Sequence, residues 1–404
     1  MSYLSAKELK ILVVVMLLGL CGLFGVDVHT PSLPYIARDL HASMGMVQQS
    51  VALFLLGEAV SLLFYGPLSD KCGRRPIVII GLAIAVISSY AAVKATNIEF
   101  FLWCRIFQGI GSGVCMGLGR TILADILEGK RFVVVGSYFA LVLSLSPLVA
   151  PIIGGYLQHA YGWGANFMFL GSLLLLVLLM YIVLCPETHD PHTHDSAPWH
   201  TVFHNYGVLV VNPVFAVSVV LAGFALGSVM VYAALSPFIL QHMYHLSPVN
   251  YGWALGFVGF FGMLGKLLLP WFIHRYKSSA NVAFGLWCLF LMGIAMMCYY
   301  VFSMVPLWVA VLAPAIVMFG QSFVLPNTAA YALMPHPKMR GAAGALYGSF
   351  QLGFGFLATA VVSWTQFPPT AELIATYLVL GSIGLIAFIA LIKSGKLEQQ
   401  QASA

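Results

Sequence analysis

Charge is what this chain of 404 residues has least of. Only 8% of it is Asp, Glu, Lys or Arg, where a soluble domain carries about a quarter. With 61% hydrophobic residues and a mean hydropathy of +0.95, such a surface suits a bilayer rather than water. The net charge of +5 is therefore no sign of nucleic-acid binding; its distribution sets topology instead. The seven cysteines are scattered, so neither a disulfide framework nor a metal-ligand spacing is expected. No phosphate-cradling G-x-x-x-x-G-K-S/T loop occurs, which argues against an ATP-driven pump. The apolar runs contain no nucleophile–base pair and no cluster of His with acids, so an enzyme is not expected. No small-residue cleavage site follows the first apolar run, Ile11 to Val26, and the run reads as a retained span.

What is present is a series of long apolar runs. A transmembrane helix needs about 20 apolar residues, and the runs predict spans at 9–29, 47–67, 77–95, 99–122, 132–155, 165–185, 213–236, 249–271, 280–302, 305–328, 341–363 and 372–393. With the N-terminus inside, thirteen Lys and Arg fall on the cytoplasmic side and two, Arg38 and Lys94, on the outer side. That asymmetry orients the chain with both termini in the cytoplasm. Three cations remain within spans: Arg105, Arg120 and Lys266. Lys266 is expected to snorkel to the interface. Residues 186–212 form the longest polar stretch and divide the chain into six-span halves, 1–185 and 213–404. This linker lacks Lys and Arg but holds His189, His192, His194, His200 and His204. A passive connection is expected, with a pH- or metal-responsive element as the alternative.

Between the second and third spans runs Gly66-Pro67-Leu68-Ser69-Asp70-Lys71-Cys72-Gly73-Arg74-Arg75-Pro76. Its glycines permit a tight turn, its cations hold the loop on the cytoplasmic side, and Asp70 gives them a counter-charge. This run resembles the loop between the second and third helices of major facilitator transporters. Arg105-Ile106-Phe107-Gln108-Gly109-Ile110-Gly111 is similar to that family's fourth-span motif. Pro147 through Pro151, Gly154 and Gly155 resemble its antiporter signature in the fifth span. Asp27, Pro31, Pro34 and Asp39 match a first-span pattern of the twelve-span drug/proton antiporters, nearest the bicyclomycin-resistance branch. Pro326-Asn327 and Arg340 to Gly344 agree with its tenth and eleventh spans. Trp163-Gly164-Ala165-Asn166-Phe167 departs from the branch by lacking an arginine, Ala124 replaces a second one, and Glu58 is unusual there.

The resemblance implies an all-α membrane protein with twelve helices in two pseudo-symmetric six-helix bundles. It implies a proton-coupled secondary transporter of the bacterial inner membrane, exporting a small, partly apolar compound by alternating access. Its partners would be substrate, protons and lipid, with no nucleic acid, metal or cofactor beyond the coupling proton, and the chain would act as a monomer. A dedicated siderophore or metabolite exporter or importer is the alternative within the family. A membrane sensor using the His-rich linker is the alternative outside it.

An ionisable group inside a bilayer is costly and is a functional candidate by default. Asp27, near the outer end of the first span, and Glu58, read as two turns from the cytoplasmic end of the second, are the expected proton carriers, with Arg105 tuning them. The second-half spans are read as free of acids, which concentrates coupling in the first half. Tyr35, Gln108, Arg120, Tyr138, Tyr232 and Asn327 are the candidate substrate contacts. Gating falls to Gly66, Asp70, Gly73, Arg74, Arg75, Asp125, Pro147, Pro151, Gly154 and Gly155. Asp70 is expected to face the start of the eleventh span near Gly341, and Asp125 to pair with Arg74. The prolines and glycines should make a kinked packing surface between the halves.

Overall fold

The computed structural model describes residues 5–189, 198–336, 339–365 and 367–397; these residues form helices and no strands. Twelve helical segments are long and apolar enough to cross a membrane. The first half contains α1 (Ala6–Asp27), a short α2 (Leu33–Asp39), α3 (Met44–Cys72), α4 (Arg74–Val93), α5 (Ile98–Ile126), α6 (Gly129–Leu143), α7 (Ser146–Tyr161) and α8 (Gly164–Leu184). The second half follows α9 (Trp199–Val211) with α10 (Pro213–Pro237), α11 (Pro248–Arg275), α12 (Ser278–Phe302), α13 (Leu307–Leu333), α14 (Arg340–Trp364) and α15 (Pro369–Lys393).

Local chemistry accounts for the starts and breaks. Ser5 and Glu8 form a reciprocal cap on α1, while Ser43, Asn97, Asn212 and Ser247 accept from first-turn amides of α3, α5, α10 and α11. Gly73 separates α3 from α4 at φ +89°, a left-handed conformation that favours glycine.

Three expectations need correction. The second span does not end at Tyr65 and Gly66; α3 runs on to Cys72, so Gly66 is helical and the turn is Gly73 alone. Glu58 therefore sits at mid-helix. The fifth span is not continuous but breaks into α6 and α7 at Ser144 and Leu145. Pro147, lacking an N–H, starts the second piece, and the Leu145 amide bonds to Val142 three residues back. The linker is not merely a solvated connection: α9 buries Val202, Tyr206 and Leu209, and Tyr206 donates to the Leu63 carbonyl at 3.1 Å. His200 and His204 are exposed on α9, whereas His192 and His194 lie outside the described residues.

The first-half helices pack around α1, α4, α5 and α8, the second-half helices around α10, α12, α13 and α15. Two seams join the halves, α3 on α14 and α7 on α11. One end of the molecule carries Arg74, Arg75, Arg131 and Arg275 and is here called the basic end; Arg38 and Lys94 lie at the far end. At the far end the seams are tight. Gly45 abuts the Ser363 carbonyl and Gly155 the Pro248 carbonyl, with no room for a Cβ on either glycine. A Cβ on Gly252 would stand 2.5 Å from the Pro151 carbonyl oxygen. Gln241 donates to the Pro31 carbonyl at 2.9 Å, and Ala234 and Phe238 pack among Leu33, Ile36 and Phe54. At mid-depth Ser349 donates to the Ala59 carbonyl at 2.6 Å. Among the described residues direct contact between the halves reaches Leu63 on α3 and Gly259 on α11; beyond them only α9 covers α3, with Trp199 against Phe64 and Lys71, and Gly66, Gly136 and Gly341 face open space. The halves are closed on each other at the far end and parted at the basic end.

Candidate functional site

Arg105 is the largest fully buried side chain. Its Nε donates to the Ser50 carbonyl at 3.2 Å and its Nη2 to the Gly25 carbonyl at 3.0 Å. Nη1 donates to the Gln108 amide oxygen, and Gln108 in turn donates to Ser89 at 2.6 Å. The guanidinium lies over Phe54, 4.4 Å from the ring centroid. One cation thus ties α5 to α1 and α3, and through Gln108 to α4. Such closeness needs small residues, and Gly57 and Gly109 seat α3 and α5 directly on each other's backbone. Gln108 is part of this buried clamp, which suits polar organisation better than direct contact with a solute.

Asp27 ends α1, and its carboxylate accepts from Ser146 Oγ at 2.7 Å. Glu58 is buried to 3% exposure and lies within electrostatic reach of both Arg105 and Asp27. Its Oε1 has no hydrogen-bond partner among the described residues. A buried oxygen of this kind is unfinished chemistry: it is placed to take a proton or a donor. The three expected coupling residues therefore lie in one region of the first half, Arg105 and Asp27 held by hydrogen bonds to backbone and neutral side chains, and none of the three in an ion pair among the described residues.

His29, overlooked in the motif around Asp27, belongs to the same region. It is wholly buried, 5.6 Å from the Phe167 ring, and neither ring nitrogen has a hydrogen-bond partner of ordinary geometry among the described residues. Its signal was an ionisable residue two places after Asp27. Asn166 also matters: it donates to Ser32 at 2.7 Å, tying α8 to the segment after α1.

The gating residues are placed at the basic end. Arg74 pairs with Asp125 at 3.1 Å, as expected, and also with Asp70 and Ser69. Asp70 is engaged with Arg74 on its own half, and the start of α14 lies open at Gly341 in this state. Glu187, not anticipated, caps α4 by accepting from the backbone amides of Arg74 at 2.8 Å and Arg75 at 3.0 Å. Arg75 donates from its side chain to the Ile182 carbonyl. Pro147, Pro151 and Gly155 abut α11, and Gly154 seats on the Val28 carbonyl, so this stretch is the closed seam itself.

The expected substrate contacts scatter. Tyr35 lies under Arg38 at the far end, 5.4 Å from its guanidinium, away from the centre. Tyr232 is buried in the second-half core and donates to Ala310. Asn327 is buried and donates to Phe323 one turn back. Tyr138 is exposed on α6. Arg120 is exposed and lines a cavity of about 290 Å³ with Leu123, Phe132, Gly136, Ser137 and Ala140. The second half is not free of acids as expected: Glu372, the first residue of the twelfth predicted span, is 6% exposed in the first turn of α15 and accepts from Thr365 at 2.6 Å. Gln321 donates to Ser228 at 2.6 Å, tying α13 to α10.

A family model described as Major Facilitator Superfamily matches residues 15–360. The chain is 28% identical over 395 residues to Multidrug resistance protein D of Escherichia coli (strain K12), covering 94% of this chain and 92% of that one. It is 25% identical over 358 residues to the Bicyclomycin resistance protein homolog of Haemophilus influenzae, covering 87% and 88%. Among solved structures, a D-xylose–proton symporter superposes with a TM-score of 0.73 at 17% identity, covering 95% of this chain and 97% of that one.

Proposed function

Because the chain belongs to the Major Facilitator Superfamily, a family of transporters rather than enzymes, we propose that it is a proton-coupled secondary transporter that exports a small, partly apolar compound by alternating access. The observation that carries this reading is the set of buried Glu58 and Arg105 with half-buried Asp27, beside a seam closed at one end and open at the other. The names of the two relatives, a multidrug resistance protein and a bicyclomycin resistance homologue, support efflux. The excess of Lys and Arg at the basic end supports placing that end in the cytoplasm of a bacterial inner membrane.

In this reading the state described here receives solute from the cytoplasm. Rocking of the halves closes the basic end and opens the far end. Glu58 and Asp27 hold protons in one state and release them in the other, while Arg105 keeps α1, α3 and α5 together. A gradient of one pH unit supplies about 1.4 kcal/mol per proton and 100 mV about 2.3 kcal/mol per charge, enough to concentrate a solute without ATP. The test is transport by purified protein in proteoliposomes, with a panel of drugs, siderophores and metabolites and with internal pH recorded. The expected result is solute movement that follows an imposed pH difference and moves protons the other way. Movement at one rate whatever the pH on either face overturns the reading.

A further inference from the structure

Three cations lie within the spans, and only Arg105 is accounted for by the bonds described above. We propose that the other two, Arg120 on α5 and Lys266 on α11, form the two sides of an anion-binding site in the opening at the basic end, so that the transported compound carries a carboxylate, sulfonate or phosphate-type group on an apolar body. The proposal rests on the transporter reading and names the substrate class for it.

Helix geometry places Lys266. Pro248, Gly252 and Gly259 form the face of α11 that packs on α7. Lys266 follows Gly259 by seven residues and Gly252 by fourteen, which returns it to that face at 3.6 residues per turn. It lies beyond the last contact, where the halves have parted, and is exposed. The exposed apolar face of α11 is a different one, carrying Trp253, Phe257, Phe260, Leu267 and Trp271. Snorkelling along lipid, the expectation from sequence, does not fit a lysine on the seam face.

Arg120 occupies the matching place on the first half. It shares a face of α5 with Gly113, which meets Ser61, and it lines the cavity with Gly136, Ser137 and Ala140 of α6. Counting at 1.5 Å per residue, Arg120 lies about 9 Å from the basic end of α5 and Lys266 about 14 Å from that of α11. Among the described residues neither forms an ion pair. The nearby acids are engaged elsewhere: Asp70 and Asp125 with Arg74, Glu187 with the start of α4, Glu8 with Arg131. Glu128 is exposed at the turn before α6.

Two cations, one on each half and neither in an ion pair among the described residues, oppose a closing that brings them together, because like charges repel more strongly as water leaves. An anionic group between them reverses the sign. Closure of the basic end, which in this reading brings α6 onto α11 past Gly259, then needs the anion in place. The site thus links solute binding to the conformational step, which an empty carrier would make slowly.

The test uses the full-length protein and three naphthalene probes: the 1-sulfonate, the neutral 1-sulfonamide and the 1-methylammonium. Binding is read from quenching of the intrinsic tryptophans, transport in the pH-gradient vesicles. The expected result is preference for the sulfonate, a loss of at least about tenfold in its affinity in Arg120→Gln and in Lys266→Gln, and near-normal affinity in Arg120→Lys and Lys266→Arg. Rescue by the charge-keeping variants separates charge from packing, and elution as a monodisperse species checks folding. Wild type that does not bind the sulfonate, preference for the ammonium, or glutamine variants that bind the sulfonate normally would each overturn the proposal. Charge-dependent sulfonate binding without pH-driven movement of any probe would leave the site standing and remove the transporter reading. pH-driven transport of neutral or cationic probes, unaltered in the glutamine variants, would do the reverse.

Discussion

Ser146 donates a hydrogen bond to the Asp27 carboxylate at 2.7 Å, joining the last residue of α1 to the first residue of α7. The contact falls where the fifth span breaks, one residue before Pro147, which packs on Gly259 of α11. In the proposed mechanism a change in the proton content of Asp27 would bear directly on the break that begins α7, the helix of one seam between the halves. The acid and the seam are one connected piece of structure.

From that relationship, Asp27→Asn keeps a hydrogen-bonding side chain but cannot exchange a proton. Purified Asp27→Asn protein is expected to fold and to lose pH-driven transport to the level of protein-free vesicles. Ser146→Ala removes one donor to a charged group, worth about 1.5–3 kcal/mol, and is expected to slow transport roughly tenfold while keeping its pH response. Stopped-flow efflux with an internal pH dye measures both. Full coupling in Asp27→Asn would remove this residue from the proton path.

Glu58→Gln addresses the other acid. Its carboxyl is buried at mid-helix with Oε1 unbonded, so the amide fits the same volume without a titratable proton. The expected outcome is a carrier that still binds solute and exchanges it across the membrane but no longer concentrates it against a pH difference. Comparing equilibrium exchange with net uphill transport in the same vesicles checks this.

A third prediction concerns the far seam. At Gly252 a Cβ would stand 2.5 Å from the Pro151 carbonyl oxygen, a backbone atom that cannot swing aside. Overpacking of this kind costs about 1–3 kcal/mol, and the cost falls on the state in which the far end is closed. Gly252→Ala is expected to shift the balance toward the far-open state by roughly tenfold or more. Spin labels at Lys94 and Ser303, in a cysteine-free background, report the separation of the far ends, and the long-distance population should grow.

The twelve spans and the basic-end asymmetry were legible because a bilayer leaves a strong compositional trace in sequence. Asp27, Glu58 and Arg105 were legible for the same reason: each is a rare charge in an apolar run. Gly66 was misread because a glycine inside a charged motif looks like a turn, yet α3 continues through it and only Gly73 takes a left-handed angle. Glu187 could not be found, since it caps Arg74 across 113 residues of chain. Glu372 was missed because it sits in the first turn of its helix, where a carboxylate ordinarily reads as a surface cap. Lys266 required knowing which face of α11 meets α7, and no single helix carries that information in its own residues.

The last prediction separates gating from binding. Asp70 bonds to Arg74 on its own half, while at the first turn of α14 Gly341 faces open space among the described residues. A helix start carries partial positive charge and attracts a carboxylate, so closure of the basic end would offer Asp70 a second favourable neighbour that is absent in the state described here. Asp70→Ala removes that gain from the closed state and leaves the solute cavity untouched. Turnover is expected to fall by about five- to tenfold, the size of one favourable helix-terminus contact of roughly 1 kcal/mol, with the affinity for solute unchanged in a binding assay at equilibrium. An Asp70→Ala variant whose slower turnover came with an equal loss of affinity would place this acid in the binding machinery and take it out of the gate.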